Sequence, residues 1–150
     1  MNQNWIFLLL ALMAGTLMPT QAAVNNKLST FVEHPLLAVL ISFIVGTLSL
    51  FVYTVASGIP LSHSLTSLKN APFIAWTGGL IGALYLTSVV FLIPRLGVAL
   101  TFSIIIAGQM LITVVIDHFG FLGVPVHSIN LQRLFGIFLI AIGVILVRRF

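Results

Sequence analysis

Residues 15–26 read "GTLMPTQAAVNN", and how they are read decides the fold. The apolar run of residues 5–18 leads into them, and the small pair Ala22-Ala23 follows. One reading is a secretory leader cut after that pair. The other is a retained transmembrane helix that bends at Pro19 and carries amides into the bilayer. A leader needs positive charge ahead of its apolar core. The residues before Trp5 are "MNQN", with neither Lys nor Arg. Cleavage after Ala22 or Ala23 also leaves four spans and no evident use for a transient leader. The expectation is a retained helix.

Composition points the same way. The chain has 150 residues, of which 60% are hydrophobic and 5% charged, with a mean hydropathy of +1.24. A soluble domain carries about a quarter charged residues. This chain cannot cover a surface in water, so the bilayer is its expected solvent. Without cysteine it can form neither disulfides nor thiolate metal sites. The net charge is +4, but Lys27, Lys69, Arg95, Arg133, Arg148 and Arg149 are scattered. With no basic stripe interleaved with aromatics, a nucleic-acid partner is not expected.

A bilayer core needs about 20 apolar residues in a helix. Five segments reach that length, at about 4–24, 36–57, 71–93, 97–117 and 131–148, forming a single transmembrane domain. Between them lie "NNKLSTFVEHP", "SGIPLSHSLTSLKN", a tight "IPRLG" and "HFGFLGVPVHSIN". Pro35, Pro72 and Pro94 are expected at or just outside helix starts, where a missing N–H does no harm. Asn130, or Ser128 before it, is the expected N-cap of the fifth span. The tight joint at residues 94–97 makes spans three and four expected antiparallel neighbours.

Pro19 falls inside the first span and cannot donate to the Gly15 carbonyl, so a bend or opening is expected there. Freed backbone groups at membrane depth are tolerated beside protein or a water-filled cavity. Thr16, Thr20, Gln21, Asn25 and Asn26 supply polar atoms at that level, and Gln21 and Asn25 share one face a turn apart. They serve either to satisfy the kink or to line a solute cavity. In the fourth span, Gln109, Thr113 and Asp117 follow at four-residue steps on one face. Gln109 lies near the middle of the hydrocarbon and needs a partner, whether solute or helix. Asp117 reads as a helix-end residue facing headgroups or Arg133.

The third span opens "APFIAWTGGLIGALY". Gly78, Gly79 and Gly82 give it a smooth side for close helix packing or a dimer seam. Trp76 reads as a headgroup anchor or a cavity-lining aromatic. Gly136 and Gly143, seven residues apart, mark the last span as an association helix. No enzyme motif is present. The only acids, Glu33 and Asp117, are far apart, and no two of His34, His63, His118 and His127 have helical metal-pair spacing. Neither metal nor cofactor is expected.

With an odd number of spans, Lys69 and Arg133 lie on the N-terminal side and the other four basic residues lie opposite. The charge rule then favours an outside N-terminus by four to two, and only Arg148 and Arg149 make the difference. Such a weak bias permits insertion in both orientations.

The stretches "GTLMPTQAAVNNKL", "WTGGLIGALYLTSVVFLIPRLGVALTFSIIIAGQMLITVVIDHFGFLGVP" and "QRLFGIFLIAIGVILV" resemble the YdcZ-type family of half-size proteins in the drug/metabolite transporter superfamily. The likeness covers nearly the whole chain, and its most specific part is the "PRLG…GQ…DHFG" run. It implies an all-α inner-membrane protein whose five helices form one transporter repeat, paired with an inverted second copy or a paired homologue. Substrate would lie near the midplane beside a broken helix. The related small multidrug transporters carry an acid in the first helix, where this chain has only Gln21 and Asn25, and an amide takes up no proton near neutral pH. The expected function is alternating-access transport of a small organic solute. Gln21, Asn25, Trp76, Gln109 and Thr113 are the expected binding residues. A dimeric channel and a non-transporting partner subunit are the alternatives.

Overall fold

The computed structural model describes residues 3–60 and 68–150, and His63 lies outside them. Five long helices carry the chain: α1 (Gln3–Phe31), α2 (Pro35–Ala56), α3 (Thr77–Leu96), α4 (Val98–Phe119) and α5 (Leu131–Arg149). Short 3-10 turns stand at Leu68–Asn70, Phe73–Trp76 and Phe121–Gly123. Among the described residues there is no strand. Each of five segments, Trp5–Phe31, Pro35–Ala56, Phe73–Leu96, Val98–Phe119 and Leu131–Arg149, is long and apolar enough to cross a membrane. This is an all-helical membrane protein.

The first helix runs well past residue 24. Its 29 residues extend about 44 Å, the thickness of the hydrocarbon plus headgroup layers. Outside the hydrocarbon, local hydrogen bonds set where a helix stops. Ser29 Oγ donates to the Asn26 carbonyl and Thr30 Oγ1 to the Lys27 carbonyl, each at 2.7 Å. Lys27 Nζ lies 5.9 Å from the Phe31 ring centroid, keeping its charge at the interface while its stem stays on apolar surface. The chain then turns through Glu33 at φ 58. This left-handed conformation is uncommon for a residue other than glycine. His34 Nδ1 accepts from Leu36 N–H at 3.2 Å, capping α2 just before Pro35.

Pro19 lies inside α1, which continues through it. Nearby hydroxyls turn inward to backbone, Thr16 Oγ1 to the Met13 carbonyl at 2.7 Å and Thr20 Oγ1 to the Thr16 carbonyl at 2.8 Å. Pro94 likewise lies within α3, which ends at Leu96. A proline in the last turn removes one bond close to carbonyls that lack partners anyway. Gly97, at φ 76, precedes α4 in a left-handed conformation.

The chain divides into two compact units, Met1–Pro94 and Arg95–Phe150. In the first, α1 packs on α2, and Val39, Leu86 and Val90 form a buried cluster joining α2 to α3. A Cβ on Gly82 would lie 3.8 Å from the Phe43 ring, so this glycine faces α2, whereas Gly78 and Gly79 have open space. In the second, α4 packs on α5 across a tied loop. Gly120 ends α4 at φ 63, and its N–H donates to the Ile116 carbonyl. A Cβ there would sit 2.7 Å from Val126 Cγ2, so with the left-handed backbone this position favours glycine. His127 N–H donates to the Asp117 carbonyl at 2.9 Å, and Ile129 N–H donates to His118 Nδ1 at 3.2 Å. Asn130 Oδ1 accepts from Arg133 N–H at 2.8 Å, making Asn130 the N-cap of α5.

Only ten described residues are buried, none of them on α5. In water such exposure would be untenable. In lipid, apolar side chains gain nothing from leaving the solvent, so helices bury only the surfaces where they pack.

Candidate functional site

The joint at residues 32–34 is short, so the packed helices α1 and α2 run antiparallel. Between them lies a groove of about 210 Å³ lined by Gln21, Ser42, Phe43, Gly46, Thr47 and Leu50. By helical rise, Ser42 and Thr47 lie about 5 and 2 Å from the midpoint of α2, which places the groove at mid-depth.

Hydroxyl groups in apolar helices usually bond to their own helix, and two on α2 do so. Ser49 Oγ donates to the Val45 carbonyl at 2.8 Å and Thr54 Oγ1 to the Leu50 carbonyl at 2.7 Å. Ser42, Thr47 and Gln21 form no side-chain hydrogen bond among the described residues. The groove therefore carries three polar side chains with unused hydrogen-bonding capacity, beside Phe43 and Leu50. A Cβ on Gly46 would meet no atom within 4 Å, and this glycine keeps the floor of the groove open.

One turn beyond Gln21 on the same side of α1 stands Asn25, 3% exposed. Its Nδ2 has no hydrogen-bond partner. Ala22 on α1 is buried too, as are Ala38 and Val39 near the start of α2, the end nearer Asn25 in an antiparallel pair.

The remaining sequence-derived candidates lie elsewhere. Trp76 ends its 3-10 turn and is 59% exposed. Gln109 and Thr113 are exposed on α4, in the second unit. Asp117, two turns on from Gln109, is held by Arg133, whose Nη1 lies 3.4 Å from Asp117 Oδ2 and 3.1 Å from the His127 carbonyl. Within each unit, then, Gln21 and Asn25 come together beside α2, and Gln109 and Thr113 share a face of α4. Among the described residues, His, Asp and Glu form no group of three able to hold a metal ion.

Ser42, Gly46 and Thr47 were not among the sequence candidates. Their only signal was a one-turn step of small residues, Ser42 to Gly46, with Thr47 adjacent, in a mostly apolar helix that also carries Ser49 and Thr54. A second groove, about 260 Å³, lies between α4 and α5 and is lined by Ser103, Ile106, Ile140, Gly143, Val144 and Val147. Its one hydroxyl, Ser103 Oγ, is engaged by the Ala99 carbonyl at 2.8 Å, so this groove is effectively apolar.

Residues 6–146 match the family model described as "Putative inner membrane exporter, YdcZ". Neither the curated proteins nor the solved structures gave a match. Five span-length helices suit a half-size protein of the drug/metabolite transporter type. The chain belongs to the YdcZ family of inner-membrane exporters and is a multi-pass membrane transporter.

Proposed function

We propose that the chain works as an antiparallel dimer that carries a small organic solute by alternating access. The solute binds at Gln21 in the α1–α2 groove, with Asn25 one turn beyond on the same side of α1; Trp76, and Gln109 and Thr113 on α4, are candidate solute contacts as well. The observation that carries this reading is the groove itself. Unpartnered polar groups in hydrocarbon cost several kcal/mol, so side chains such as Gln21, Ser42 and Thr47 belong beside a polar solute, water or a partner chain. Transporters built from inverted repeats bind substrate near the midplane at the repeat interface. A five-helix chain supplies one such repeat, and a second, inverted copy completes the site. The near balance of basic residues fits insertion in both orientations, with only Arg148 and Arg149 biasing it.

The test is flux into proteoliposomes, using solutes first selected by thermal-shift screening of the purified protein. Saturable flux, competed by unlabelled solute and lost on blocking the groove with Gly46→Leu, is the expected result. Flux that rises without saturation indicates a channel. No flux, together with a co-purifying membrane protein, indicates a partner subunit.

A further inference from the structure

Asn25 is an unusual residue to keep where it is. Its Nδ2 is orphaned at 3% exposure, and a hydrocarbon side chain of similar size would leave no donor unsatisfied. Gln21 precedes it by one turn and lines the groove with Ser42 and Thr47, likewise unengaged. Amides and hydroxyls both donate and accept hydrogen bonds, so this face offers both functions. Phe43 and Leu50 supply the apolar wall.

The groove also lacks formal charge. No Asp or Glu occurs in α1 or α2, and their one basic residue is Lys27, drawn toward Phe31 at the helix end. Nothing in this wall could neutralise a charged guest or exchange a proton with it. Burying an unpaired charge in such a place is strongly unfavourable. The groove's 210 Å³ equals the space of about seven waters at ~30 Å³ each, the scale of a one-ring molecule.

We infer that the α1–α2 groove takes an uncharged solute with an amide- or hydroxyl-type head that pairs with Gln21, Ser42 and Thr47 and an apolar body that lies against Phe43 and Leu50. This deepens the transport reading and rests on the groove being its solute site. Binding moves no proton, and carriage of such a solute is electrically silent.

Benzamide, benzamidine and benzoate form a matched set of probes, similar in size and differing in charge. Their binding to the full-length protein in nanodiscs is measured by calorimetry against empty nanodiscs, between pH 5.5 and 8. Benzamide should bind saturably, at least about ten-fold more tightly than either charged analogue, and independently of pH. Gln21→Leu should weaken benzamide by about ten-fold while the unfolding temperature holds or rises, an outcome that a purely structural amide does not give. Benzamidine or benzoate binding as well as benzamide overturns the inference, as does saturable benzamide binding unchanged in Gln21→Leu, or no saturable binding of any probe. If Gln21→Leu fails to fold, Gly46→Leu decides, because its side chain enters open space; undiminished benzamide affinity there also overturns the inference. A failed flux assay with this probe preference intact removes the transport reading alone. Saturable carriage of a cation through the groove removes only this assignment.

Discussion

Filling the groove from its floor should separate function from stability. Gly46 is the twelfth of 22 residues in α2, and a Cβ there would meet nothing within 4 Å. Glycine in a helix interior costs about 0.8–1.0 kcal/mol relative to alanine, and leucine lies close to alanine on that scale. Gly46→Ala and Gly46→Leu should therefore each stabilise the fold by up to about 1 kcal/mol. For a chain of this length that raises the unfolding temperature by about 2–4 °C. Alanine's single methyl occupies little of the 210 Å³ and should leave binding nearly unchanged. Leucine's four carbons stand between Gln21 and Thr47 and should abolish solute binding. Thermal unfolding, size-exclusion chromatography and probe binding are read on the same nanodisc or detergent preparations. A fall in unfolding temperature or loss of the dimer in Gly46→Leu would refute the reasoning, because it would show this glycine to be a helix contact. So would full binding in a stable leucine variant.

Other positions carry costs of different origin. Gly82→Ala should be tolerated, with its Cβ 3.8 Å from Phe43, whereas Gly82→Leu must displace that ring and should lose about 1–3 kcal/mol in thermal unfolding. Gly120→Ala combines a left-handed backbone with a 2.7 Å approach to Val126 and should cost more than about 1–2 kcal/mol by the same measurement. Asn130→Ala, which removes the α5 cap, should cost about 1 kcal/mol. Asp117→Asn should cost less than that, since its 3.4 Å contact with Arg133 is partly exposed on both sides and such pairs contribute about 0–1 kcal/mol.

Much of the architecture was legible in the sequence because membrane spans are set by length and apolarity. The Asn130 cap was legible as well, from a polar residue placed just before an apolar run. The end of α1 was not. Past the hydrocarbon, the choice between loop and helix rests on local bonds such as those of Ser29 and Thr30, and on Glu33 adopting φ 58. At the site, Gln21 and Asn25 stood out because amides are conspicuous within an apolar run. Ser42 and Thr47 did not, because in sequence they look the same as Ser49 and Thr54. Only the structure shows that the latter pair bond to their own helix and the former do not. The neighbours of Gln109 and Thr113 depend on how helices distant in sequence meet, which periodicity within one helix cannot specify.

The most direct test of the antiparallel dimer uses the absence of native cysteine. Ser128→Cys and Phe150→Cys place single thiols at exposed positions beyond opposite ends of α5. Each variant is treated in intact cells with a membrane-impermeant maleimide, and the remaining thiol is counted after lysis. The account predicts that each cysteine is labelled from outside in a substantial fraction of chains and protected in the rest, the two fractions comparable for both variants. Complete labelling of one variant with complete protection of the other would contradict it, since every chain would then face the same way.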